Sequence, residues 1–180
     1  MTILLALKNS RDVIIASDSL VKKLTGKTQM QKVFAFPEKR CVLGFAGIMP
    51  LEINSFETFE TFKDYLLAYY KQSNPKLNSA TIFYANPEGL WSCEVNREKI
   101  RFFEIEGYAI SLPVSLPLNY TCVAERLESK LKIDSNKKTD IIRNFKDLLI
   151  KLESPYSDTC LQLAIVNNKE IFYYSELKSA

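Results

Sequence analysis

The chain has 180 residues, of which 47% are hydrophobic and 25% are charged, and its formal net charge is +3. This length suits a single domain with a large core, so we predict one domain over residues 1–180. Because the sequence contains no histidine, serine and cysteine nucleophiles that depend on a histidine base are excluded, and so is zinc held by histidine. The small net charge gives no reason to expect a nucleic-acid partner.

The location of the protein is predicted from its apolar stretches and its cysteines. No apolar stretch approaches the length of a membrane span, and the first residues lack the order of a secretory signal. The cysteines show no C-x-x-C spacing and lie in apolar surroundings, as reduced core thiols do; they are Cys41, Cys93, Cys122 and Cys160. We therefore expect a cytoplasmic protein that needs no membrane, metal or other cofactor.

Short apolar runs separated by turn residues predict strands in the first part of the chain. Helical spacing of apolar residues from Pro50 to Ser73 predicts one long amphipathic helix between the fourth and fifth strands. A turn at residues 86–89 predicts that the fifth and sixth strands pair, and that the seventh continues their sheet. The predicted strands are residues 3–7, 12–17, 31–36, 41–45, 80–84, 90–95 and 100–105.

The second part of the chain is predicted to contain helices and then strands. Apolar spacing indicates helices over residues 118–131 and 136–153, followed by strands over 159–166 and 171–174. Blocks of strands alternating with blocks of helices are typical of two stacked antiparallel sheets between helical layers. The predicted fold class is therefore α+β, a four-layer αββα sandwich.

Thr2 follows the initiator methionine directly and opens the first apolar run. Removal of Met1 would leave a hydroxyl and a free α-amine on the same residue. An α-amine has a pKa of about 7.7–8.0, so a terminal threonine carries both a nucleophile and a base. A hydrolase without histidine needs another base, and a terminal amine is one. The alternative is that Thr2 is simply a β-branched residue that favours a strand.

Three further motifs follow Thr2 in order. Asp18 and Ser19 end the second apolar run, Lys32 precedes a valine in the third, and residues 44–47 read G-F-A-G after the fourth. This order resembles the β-type subunits of the proteasome family, within the N-terminal nucleophile hydrolases, and most closely the bacterial proteasome-like proteases. The resemblance also implies the αββα sandwich.

The resemblance implies a role for each of these residues. Thr2 would be the nucleophile, and its amine the base. The positive charge of Lys32 would lower the pKa of that amine, while Asp18 would pair with Lys32 and orient it. The backbone N–H of Gly47 would stabilise the oxyanion. Without the resemblance, a lysine and an aspartate at strand ends would more often form a surface ion pair.

Two residues of the second half match the family pattern by position. Ser115 and Asp158 stand where the family has residues that help to hold the terminal threonine. The glycines that flank this serine in the family are absent, since Val114 and Leu116 stand beside Ser115. The alternative is that Ser115 is a loop serine and Asp158 an exposed turn residue.

The resemblance implies a proteasome-type threonine peptidase that cleaves peptides or unfolded proteins. It also implies a homo-oligomer, for which an ATP-dependent unfoldase is a candidate partner. Two alternatives stay open. One is a catalytically inactive proteasome-like subunit that serves assembly or binding, and the other is an N-terminal nucleophile amidase that acts on a small amide.

Overall fold

The computed structural model describes residues 2–23, 26–47, 54–72, 80–96, 98–111, 125, 129, 137–152 and 158–177. Its first sheet combines two early strands, one strand from the middle of the sequence and two late strands. The strands are β1 (Leu4–Lys8), β2 (Asp12–Ser17), β10 (Tyr108–Ser111), β11 (Gln162–Asn167) and β12 (Ile171–Ser175). All neighbours are antiparallel, in the order β10-β1-β2-β11-β12. The strand that begins next to Thr2 thus lies inside this sheet.

The second sheet is an antiparallel meander in chain order. Its strands are β5 (Val33–Phe36), β6 (Cys41–Gly47), β7 (Ala80–Asn86), β8 (Gly89–Val95) and β9 (Ile100–Glu104). The predicted β7–β8 hairpin is confirmed, with Asn86 opposite Gly89 at its turn. A separate two-stranded hairpin consists of β3 (Leu20–Lys23) and β4 (Gly26–Gln29). It follows β2 directly and leads towards Lys32.

Two long helices are described, α1 (Phe59–Gln72) and α2 (Lys138–Lys151). The second agrees with its prediction, whereas α1 begins later than predicted because Thr58 caps it: the Thr58 Oγ1 accepts a hydrogen bond from the Thr61 N–H at 3.2 Å. The helix predicted over residues 118–131 lies almost wholly outside the described residues. No helix in the described part of the chain is long and apolar enough to cross a membrane.

Successive side chains of each strand point to opposite faces of its sheet, and this divides the core into three layers. Leu4, Ile15 and Phe83 fill the space between the two sheets. The other face of the first sheet packs against α2, and the other face of the second sheet packs against α1. These outer layers contain Leu5, Ile14, Leu163, Phe145 and Leu149 on one side, and Leu43, Tyr84, Phe62 and Leu66 on the other. The predicted αββα sandwich is confirmed.

Candidate active site

Thr2 lies at the start of β1, where the pairing of β1 with β2 brings Asp18 beside it. Leu4 is opposite Ser17, so the residue after β2 reaches the residues before β1. The Asp18 Oδ1 accepts a hydrogen bond from the Ile3 N–H at 2.8 Å, and the Ser17 Oγ donates to the Ile3 carbonyl at 2.9 Å. Both hydrogen bonds fix the position of Ile3, the residue that follows Thr2. Thr2 is itself buried.

Lys32 and Asp18 form an ion pair beside the peptide group that joins Thr2 to Ile3. The Lys32 Nζ lies 3.0 Å from the Asp18 Oδ1 and also donates to the Leu20 carbonyl at 2.6 Å. The two side chains are 5% and 0% exposed, so this is not the surface ion pair that the alternative predicted. The same Asp18 oxygen that holds the Ile3 N–H therefore holds the ammonium.

Burial dominates the electrostatics of this pair. Desolvation lowers the pKa of Lys32, against the attraction of Asp18, which raises it. Desolvation also raises the pKa of Asp18, against the charge and the hydrogen bond of Lys32, which lower it. Each group thus depends on the other to remain charged. The arrangement can place a fixed positive charge next to the α-amine of a processed Thr2, where it would favour the neutral amine.

Gly47 ends β6 at the same end of the sandwich as Thr2. Its neighbour Ala46 is opposite Thr81, whose Oγ1 lies 3.3 Å from the Ser111 Oγ, and Ser111 is opposite Leu4 of β1. Gly47 is exposed and has a φ of 102°, a backbone region that glycine adopts without strain.

Asp158 contacts the Asp18-Ser19 pair from the loop before β11. Its Oδ1 accepts the Ser19 N–H at 2.9 Å, and its Oδ2 accepts the Ser19 hydroxyl at 2.7 Å. Its charge also acts on both members of the ion pair, raising the pKa of Asp18 and of Lys32. Asp158 thus contacts Ser19 and acts on the Asp18–Lys32 pair, although it is distant from all three in sequence. Ser115 lies outside the described residues.

Two buried polar residues that the sequence analysis did not select also belong to this region. Ser17 holds the Ile3 carbonyl, as described above, and Gln162 of β11 contacts the backbone of Lys32. A signal for Gln162 was present, because it is the only polar residue in the run from Leu161 to Val166. Among the described residues, no group of three or more side chains of the metal-binding types lies close enough to hold a metal ion.

Comparison with known proteins gives matches at the level of structure. No protein-family profile matches the sequence, and no curated protein matches it. The protein called BPH from Thiobacillus denitrificans, in complex with epoxomicin, is 14% identical with a TM-score of 0.61, over 93% of this chain and 98% of that chain. A second BPH structure is 13% identical with a TM-score of 0.59, over 93% of this chain and 98% of that chain.

A eukaryotic protein has the same fold. HslV from Trypanosoma brucei is 12% identical with a TM-score of 0.58, over 92% of this chain and 99% of that chain. The chain therefore has the same fold as these BPH and HslV proteins, and the predicted resemblance to proteasome β-type subunits is confirmed at the level of the fold.

Proposed function

We propose that the protein is a proteasome-type threonine peptidase, which hydrolyses peptide bonds with Thr2 as its N-terminal residue after Met1 is removed. The observation that carries this proposal is the double role of the Asp18 Oδ1, which holds both the Lys32 ammonium and the Ile3 N–H. A buried cation is thereby kept next to the terminal residue. If Thr2 were only a β-branched residue at the start of a strand, its role would not explain why a lysine is buried beside it.

In the proposed mechanism, each of these groups has one role. The Thr2 Oγ1 attacks the peptide carbonyl, and its proton passes to the neutral α-amine. The positive charge of Lys32 keeps that amine neutral near pH 7 by lowering its pKa. The Gly47 N–H stabilises the oxyanion, an effect of about 3–4 kcal/mol per donor. The amine returns the proton to the leaving nitrogen, and water then hydrolyses the acyl-enzyme.

The substrates we propose are peptides or unfolded proteins. A homo-oligomeric assembly, with an ATP-dependent unfoldase as a possible partner, is proposed from the fold that the chain shares with HslV. Ser115 and Asp158 complete the proposed site, Asp158 through its two hydrogen bonds to Ser19.

The test is the intact mass of the natively expressed protein before and after exposure to a peptide epoxyketone such as epoxomicin, which reacts with both the hydroxyl and the amine of a terminal threonine. We expect loss of the Met1 mass and one adduct per chain, with no adduct in Thr2→Ala. Retained Met1 and no adduct would refute the peptidase and leave a subunit for assembly or binding. An adduct without any peptide hydrolysis, but with hydrolysis of small amides, would indicate an amidase.

A further inference from the structure

Gln162 is a fully buried amide that spans the two sheets. It belongs to β11 of the first sheet, and its side chain reaches the backbone just before β5 of the second. Its Oε1 accepts the N–H groups of Lys32 at 2.7 Å and of Val33 at 3.2 Å, and its Nε2 donates to the Met30 carbonyl at 2.8 Å. Burying an amide is unfavourable unless its polar atoms are bonded. Both the Oε1 and the Nε2 of Gln162 are bonded to the segment that carries Lys32.

The backbone of Lys32 depends on this amide. Lys32 precedes β5, which is an edge strand of the second sheet. The Lys32 carbonyl accepts the Phe45 N–H at 2.9 Å, which ties it to β6. The N–H groups of Lys32 and Val33 are both bonded to the Gln162 Oε1. Gln162 therefore satisfies two backbone N–H groups where β5 begins.

The same residue is also linked to Asp18. Gln162 is the partner of Ser17 in the pairing of β11 with β2, and Asp18 is the next residue after Ser17. The Ser17 hydroxyl holds the Ile3 carbonyl. Gln162, the first residue of β11, thus connects the backbone of Lys32 to the strand that leads to Asp18.

We propose that Gln162 is a positioning residue of the Thr2 site, which fixes where the Lys32 ammonium stands by holding the main chain of Lys32 against the strand that leads to Asp18. Its effect on catalysis rests on the proposed peptidase function. Gln162 acts through Lys32.

A displaced Lys32 has a consequence that loss of stability alone does not have. Among the described residues, the charged groups that act on Lys32 are Asp18, at 3.0 Å, and Asp158 at longer range. If the ammonium moves away from Thr2, less positive charge opposes protonation of the α-amine, and the pKa of the amine rises. The rate of reaction at Thr2 then reaches its plateau at higher pH.

The experiment measures the rate of adduct formation with a peptide epoxyketone over a range of pH. Gln162→Met keeps the size of the side chain and removes its hydrogen bonds. The matched control is Asn86→Leu, since the buried Asn86 Oδ1 accepts the N–H groups of Glu88 at 2.9 Å and Gly89 at 3.0 Å. Asn86 lies at the far end of β7, six residues or about 20 Å from Ala80, the partner of Gly47.

We expect Gln162→Met to react about 10- to 100-fold more slowly at neutral pH, with its rate profile shifted to higher pH. Asn86→Leu should keep the wild-type rate and profile. Gln162→Asn, which retains the amide but is one methylene too short to reach Lys32, should resemble Gln162→Met. Thermal melting identifies the variants that are folded at the assay temperature.

Three outcomes would overturn the inference. The first is a folded Gln162→Met that reacts at the wild-type rate, and the second is a slower reaction with an unchanged pH profile. The third is failure of both Gln162 variants to fold while Asn86→Leu folds, which would assign the amide to the core alone.

If the wild-type protein itself does not react, the proposed function fails. A crystal structure of Gln162→Met then decides the positioning role, because an unchanged Lys32–Asp18 contact would refute it.

Discussion

At the scale of single residues, the main feature is that Lys32 and Asp18 are buried together. Desolvation of two charges opposes folding, and their attraction offsets it only while both are present. Asp18 also accepts the N–H groups of Ile3 and Leu20, at 2.8 and 3.2 Å. Removing one charge would therefore leave the other buried without a partner, which is worse for stability than removing both.

This argument predicts a strongly non-additive double-mutant cycle. Asp18→Asn and Lys32→Met should each lower the free energy of unfolding by about 3–5 kcal/mol, and the double variant by clearly less than the sum. Urea unfolding at neutral pH provides the measurement. The control is Lys63→Met, which removes an exposed ion pair with Glu60 and should change stability by less than about 1 kcal/mol. Additive losses would show that the pair is not coupled as described.

Much of this site could be predicted from the sequence, because its residues stand at the ends of apolar runs. Asp18 follows β2 and Lys32 precedes β5, so their strands deliver them to the same region. The functions of Ser17 and Gln162 could not be predicted. Their contacts depend on the register between β2 and β11, which are about 145 residues apart in the chain, and no local pattern specifies that register.

At the scale of elements, α2 and the end of the chain are tied to the loop that carries Asp158. Lys146 of α2 donates hydrogen bonds to the Thr159 carbonyl and to the Glu176 carboxylate, which lies just after β12. The same carboxylate accepts the Leu161 N–H at 2.8 Å. Partial burial raises the pKa of Glu176, but these bonds outweigh it and the pKa lies below its usual value of 4.5.

A lowered pKa gives Glu176 a definite effect on the pH dependence of stability. Its contribution is present above pH 4.5 and is lost as the pH falls through the folded-state pKa. Glu176→Gln should therefore lower the free energy of unfolding by about 1–2 kcal/mol at neutral pH. The difference from wild type should shrink below pH 4.5, as followed by urea unfolding at several pH values. A difference that stays constant down to low pH would contradict the ion-pair account.

Some elements could not be predicted from the sequence for physical reasons. The short strand β10 is half-buried along its whole length and so shows no alternation of polar and apolar residues. The hairpin of β3 and β4 falls between the predicted strands 12–17 and 31–36, in a segment where no strand was predicted. By contrast, α2 was predicted well, because Phe145, Leu148 and Leu149 form a clear apolar face.

At the scale of the whole molecule, the close packing of the two sheets depends on Gly44. This residue of β6 faces β1 and β2 across the interior. A Cβ atom at Gly44 would lie 2.5 Å from the Ile15 Cγ2 and 2.9 Å from the Leu4 Cδ1, both of which are too close. The side chains of the first sheet thus fill the space that a side chain at position 44 would need.

Gly44→Ala should therefore lower the free energy of unfolding by about 1–3 kcal/mol through overpacking. Ile15→Ala alone should lower it by about 2–5 kcal/mol, because it leaves a cavity at the same place. The double variant should lose less than the sum, since the new methyl group occupies the space that Ile15 vacates. Chemical unfolding of the three variants tests this. If the double variant loses as much free energy of unfolding as the two single variants together, or more, the two residues do not compete for this volume.

The first sheet also sets when the Thr2 site can exist during synthesis. Strand β1 lies between β10 and β2, and β2 in turn needs β11 as its other neighbour. The contacts of Lys32 and Ser19 with Gln162 and Asp158 cross about 130 to 140 residues of chain. A nascent polypeptide on the ribosome therefore cannot complete these contacts until β11 has been synthesised. Until then, Lys32 and Ser19 lack the side chains of Gln162 and Asp158 that hold them in the folded protein.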